Sequence, residues 1–244
     1  MITRYRKLLP AVSIFFIGMA AEAQRAPLTD ITEAVNIEYG KLKDSFGANK
    51  KILPEFEKQI LYALSYFPEL RNTRIHFKLR KGNNGIISAR PAFGSIFKKS
   101  SKRSYIVFIG DSSDGKFSKF LFRNSDANGQ VGILGHELTH ILNFSRMSSW
   151  GLLGVGVNHV SKKYMDNFEN KTDSVCIERG FGYQLIAWNI FLRKAFGMAD
   201  PENGPDPFFG ETNRERYMSP ASIRRIMGKS PMYNGNSSEI PSKQ

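Results

Sequence analysis

Gly132-Ile133-Leu134-Gly135-His136-Glu137-Leu138-Thr139-His140-Ile141-Leu142 sets two imidazoles four residues apart, with a carboxylate directly after the first. On an α-helix, positions i and i+4 stack on one face, so both rings can reach a single metal ion. Glu137 is turned by about 100° from His136, where it can reach a water beside that ion without being a ligand. The apolar residues agree with a helix. Val131, Leu134, Leu138, Ile141 and Leu142 share a stripe about 100° wide, and His136, Glu137 and His140 fall together opposite it. With 4 histidines in 244 residues, chance supplies this pattern only about 0.003 times per chain. A polar pair on a solvated helix face explains neither the spacing nor the glutamate.

A catalytic zinc takes two or three protein ligands and keeps a position open for water. Two histidines rarely suffice, so a third ligand is expected downstream. A third histidine six residues after the second, with a glycine between, is excluded, because those positions hold Arg146 and Asn143. Glu169 is the first candidate, with His159 and Asp166 as rivals. Glu169 and Asp173 lie four apart and share a helix face. The first can bind a metal while the second accepts a hydrogen bond from the other nitrogen of a ligating imidazole, which fixes its tautomer.

Gly135-His136-Glu137-Leu138-Thr139-His140 and Glu169-x-x-Thr172-Asp173 resemble the gluzincin metallopeptidases, and are similar to their CAAX-prenyl-peptidase-like branch. The resemblance covers residues 128–182. It implies a zincin-like fold and one Zn2+ per chain held by His136, His140 and Glu169. It also implies Glu137 as general base and Asp173 orienting a histidine. The membrane-bound members of that branch carry transmembrane helices, and no stretch after residue 23 here is long and apolar enough for one. The substrate class implied is a peptide or protein, without a specific substrate. A donor to the oxyanion is also required, and Tyr183, Tyr217, Arg179 and His159 are the candidates. The apolar strand Tyr105–Ile109 either lines the cleft as an edge strand, receiving an extended peptide, or sits buried in the sheet.

The flanks place the chain. Arg4, Arg6 and Lys7, the apolar run Leu8–Ala20, and Ala21-Glu22-Ala23 read as a secretory signal peptide cleaved after Ala23. Thirteen apolar-run residues fall short of the roughly 20 that span a bilayer. A periplasmic or secreted destination follows. Formal charge is +13 for the full chain, and residues 1–23 carry three basic groups and one acidic, leaving +11. For an exported chain that balance predicts weak attraction to an anionic cell envelope and no nucleic-acid partner. Small basic clusters fall at Lys98–Arg103 and Arg224-Arg225. Cys176 is the only cysteine, so no intrachain disulfide can form.

The fold class expected is α+β. A helix rises behind Thr29 or Asp30 and ends at Gly47-Ala48-Asn49, and a second runs from Pro54 to Phe67. Strands follow at Thr73–Leu79, Gly85–Pro91 and Ser104–Gly110, forming a small antiparallel or mixed sheet. Beyond residue 127 the pattern is helical. It comprises the motif helix, a segment capped by Ser148, a helix over Asp166–Ala195 bent near Gly180 and Gly182, and a short helix opened by Ser219-Pro220. Residues 24–232 make one domain, with an α/β part to about 126 and a helical part after it. Residues 233–244 read as a disordered tail. The alternative function is a non-catalytic envelope-binding or scaffold protein on the same fold.

Overall fold

The computed structural model describes residues 25–81, 86–112, 115–158, 160–204 and 215–234. The segment read as a signal peptide, His159 and the last ten residues lie outside them. Two short helices, α1 (Ala34–Ile37) and α2 (Tyr39–Phe46), open the described chain. Asp30 does not cap α1. Its carboxylate accepts from Thr32 and from Asn128 Nδ2, tying this segment to the start of the motif helix.

After the two-residue strand β1 (Lys50–Lys51), a 3-10 turn at Pro54–Phe56 leads into α3 (Glu57–Leu64). Alternation then produces β2 (Arg74–Lys81), β3 (Ile87–Pro91) and β4 (Ser104–Ser112). The sheet is mixed, in the order β1-β2-β4-β3. The first three of these neighbours run parallel, and β3 is antiparallel to β4. Register stacks Ile75 on Tyr105 and Phe77 on Val107 across the inward face, and all four are buried. β4 is therefore internal, and the edge strands are β1 and β3. Pairing with β4 leaves the other side of β3 open. Its terminal Pro91 suits an edge because it lacks an N–H. β1 escaped the sequence reading because two lysines carry no alternation.

The motif helix α4 spans Ala127–Arg146, and the Asp126 side chain caps it by accepting from Gly129 N at 2.7 Å. It is buried on all sides from Gly129 to Leu142, not only along the apolar stripe, so it is the central strut of the molecule. α5 (Ser149–Asn158) begins where Ser148 Oγ accepts from Gly151 N, as expected for a cap. α6 (Lys162–Cys176) starts four residues earlier than the spacing suggested, behind Ser161. A π-turn at Ile177–Phe181 then joins it to α7 (Gly182–Ala195). The bend falls at Gly180, whose φ of +102° only glycine adopts readily.

Helix α8 (Pro220–Met227) has the expected Ser219 cap, and α9 (Pro231–Asn234) closes the described chain. Tyr233 and Asn234 were expected in a disordered tail. Tyr233 is instead buried, its hydroxyl accepting from Gly182 N at 2.9 Å and donating to Ile177 O at 2.6 Å. A lone aromatic near a polar terminus shows no periodicity, so this docking was invisible in the sequence. Among the described residues no helix is long and apolar enough to cross a membrane.

Candidate metal centre

α4 carries His136 and His140 one turn apart, and α6 packs beside it so that Glu169 faces both. His136 Nε2 and His140 Nε2 are 3.0 Å apart, and each lies 3.1 Å from Glu169 Oε2. All three side chains are buried. Among the described residues they are the one group of His, Cys, Asp or Glu that could hold a metal ion. Donors arranged tetrahedrally at zinc-ligand distances would stand about 3.3 Å apart, close to the spacing found.

The outer hydrogen-bond partners of the two rings decide what those three atoms offer. Asp173 Oδ1 lies 2.7 Å from His136 Nδ1, so the ring donates there and turns the lone pair of Nε2 inward. Thr172 Oγ1 gives its own proton to Phe168 O at 2.9 Å and therefore accepts from His140 Nδ1 at 3.4 Å. The lone pair of the second ring also points to the centre. Three acceptors thus converge, an arrangement that repels itself unless a cation sits among them. In an ion-free chain only a proton can serve. Burial opposes protonating His136, but Asp173 and Glu169 outweigh it and hold its pKa well above the ordinary value. Burial likewise opposes ionising Glu169, yet the two histidines pull its pKa down. A metal would compete with that proton for the same lone pairs.

Supports surround the cluster. Asp173 Oδ2 accepts from Met218 N at 2.8 Å, so the segment before α8 locks the residue that locks His136. The ring of His140 stacks on Phe168 and Phe144, with centroids at 5.1 and 5.9 Å. Glu137 is buried next to the histidines but outside the group of ligand atoms. Burial raises its pKa, against the pull of His140 and His136 and a hydrogen bond from the backbone of Ala89 on β3. Edge strand β3 therefore runs beside the carboxylate, and Tyr105–Ile109 takes the buried one of its two expected places. Even-numbered residues of β3 and its flanks bond β4, as in Ala92 N to Ser104 O and Gly110 N to Ile86 O. Antiparallel alternation then turns the main-chain groups of Ile87 and Ala89 away from β4.

The remaining candidates separate. Tyr217 comes to the site, its ring 5.9 Å from that of His136. Burial of its hydroxyl end, with Glu169, Glu137 and Asp173 nearby, raises its pKa, while 42% of the residue stays exposed. Arg179 is spent elsewhere, on Glu69 and on Tyr66 O at 2.8 Å. Tyr183 stacks edge-on against Tyr233. Asp166 pairs with Arg216 Nε at 3.1 Å rather than joining the cluster, and His159 lies outside the described residues. Sequence reasoning missed Phe144, Phe168 and the backbone of Met218. An aromatic one turn after His140 was the available signal for the first. No family model matches the chain, and no curated protein and no solved structure matches it significantly.

Proposed function

We propose that the chain is an exported zinc-dependent peptidase of zincin type. The observation carrying this is the convergence of three metal-facing lone pairs with another buried carboxylate, Glu137, adjacent to them but outside the ligand set. His136, His140 and Glu169 would hold the ion, which when bound supplies Lewis acidity and lowers the pKa of water to roughly 7. Glu137 accepts a proton from the attacking water and passes it to the leaving nitrogen. The Tyr217 hydroxyl donates to the oxygen that gains charge. Asp173 keeps the lone pair of His136 aimed inward. An extended substrate adds to the outer edge of β3 through the main chain of Ile87, next to the Ala89 amide that already donates to Glu137, which sets its carbonyl beside that carboxylate.

Metal content and hydrolysis of a denatured protein substrate, followed in wild type, Glu169→Ala and Glu137→Gln, test this. One zinc per chain in wild type and Glu137→Gln, its loss in Glu169→Ala, and turnover in wild type alone are expected. Turnover should drop by about 1,000-fold or more in Glu137→Gln, as for loss of a general base together with its electrostatic role. Full activity in Glu137→Gln, or equal zinc in Glu169→Ala, would overturn the reading.

A further inference from the structure

Away from the metal centre, six exposed large apolar side chains gather on two neighbouring elements, while Ile37, Phe117 and Phe196 are exposed elsewhere. The loop between β3 and β4 presents Phe93 and Phe97, and α5 with the turn after it presents Trp150, Leu153, Val157 and Val160. Phe93 is 88% exposed, Trp150 83% and Val160 92%. Burying even one such ring would be favourable, so their joint exposure on a folded chain asks for an occupant.

The two elements are fastened together. Ser149 Oγ donates to Ile96 O at 2.9 Å and receives Arg103 Nη2 at 3.3 Å. The same guanidinium reaches Lys98 O, Phe144 O and Met147 O. Arg103 is therefore a buried staple and not part of a basic surface cluster. Phe97 and Trp150 flank the Ser149–Ile96 hydrogen bond, one residue to either side. On α5, Leu152 and Val155 face the core, while Trp150, Leu153 and Val157 line the outer face. An ordinary surface helix is polar there, yet α5 has no charged residue at all.

Charge selects the occupant. Residues 93–103 and 146–163 contain no Asp or Glu, and Lys98, Lys99, Lys102, Lys162 and Lys163 are all exposed. Aromatic rings bordered by flexible lysines, on a loop tip and a helix's outer side, suit the boundary between headgroups and acyl chains. The lysines remain at the level of anionic phosphates while the rings enter. We infer that this face docks the protein onto an anionic lipid bilayer. The inference does not depend on the metal reading. Because the loop continues directly from β3, docking would hold that edge strand near the membrane surface.

The chain carries its own reporter. Of its two tryptophans, Trp150 is exposed and Trp188 buried, so an emission change on binding comes from the proposed face. The full chain is mixed with vesicles of phosphatidylglycerol and phosphatidylcholine in equal parts, or of phosphatidylcholine alone, and binding is read by flotation and emission. Flotation with the anionic vesicles and a blue shift are expected. Phe93→Ser/Phe97→Ser and Lys98→Glu/Lys99→Glu should each weaken binding by about tenfold or more, the wild type losing affinity in high salt. All four side chains are exposed, so melting temperatures should match wild type. No flotation, or equal binding by both double variants, would overturn the inference. So would a concentration-dependent dimer that Phe93→Ser/Phe97→Ser abolishes while vesicle binding is absent.

Discussion

Asp173 shows how much one residue can govern. It spends one oxygen on His136 Nδ1 and the other on Met218 N, so it joins the tautomer of a candidate ligand to the placement of the C-terminal segment. Asp173→Asn keeps the volume but loses one acceptor. Zinc affinity should fall about 10- to 100-fold, measured by chelator competition, with only a modest change in melting temperature. Asp30 acts on stability. Hydrogen bonds from the hydroxyl and backbone of Thr32, and from Asn128, hold its pKa down to about 2 against an ordinary 3.8. A depressed carboxylate stabilises the fold above its unfolded pKa and stops doing so as pH falls through the folded one. The stability difference between wild type and Asp30→Ala should therefore be constant above about pH 4 and shrink toward pH 2. A difference unchanged across that window would show that Asp30 does not act through its charge.

At the scale of elements, the decisive contact is α4 against α7, and glycine permits it. A Cβ on Gly132 would lie 2.2 Å from Gln184 O, and one on Gly129 would meet the backbone of Trp188. Gly135 faces the ring of Phe181 in the same row. Spacing of three along α4 thus gives a flat strip on which α7 lies, fixing the helix that carries both histidines. Gly132→Ala pushes against main chain that cannot swing aside, and should cost about 3 kcal/mol. Gly154 in α5 has nothing within 4 Å of its would-be Cβ, so Gly154→Ala should stabilise by about 0.5–1 kcal/mol through helix propensity. Thermal melts of the two variants should move in opposite directions. The strip was present in the sequence within the quoted motif. It read as part of the metal-binding pattern because spacing alone does not say which helix lies opposite.

Across the whole molecule, the C-terminal segment completes what the centre begins. α8 and α9 lie against the π-turn, where Tyr233 bridges Gly182 N and Ile177 O. Tyr233→Phe leaves both groups buried without their partner, at a cost of about 1–3 kcal/mol. A melting temperature lower by several degrees is expected, and a change under one degree would show that water replaces the hydroxyl. The positions legible in the sequence were those whose geometry is local. Helical periodicity sets His136, Glu137 and His140 on one turn, and the four-residue step sets Glu169 and Asp173 on another, because 3.6 residues per turn is a backbone property. The α+β class and three of the four strands followed from the change of hydrophobic period. Which elements meet was decided only by tertiary packing: β3 rather than β4 at the edge beside Glu137, and Tyr217 rather than Tyr183 or Arg179 near the site. It also decided that α4 is buried on every side. Those outcomes depend on which surfaces exclude water together, and residues far apart in the chain carry no local mark of their future neighbours.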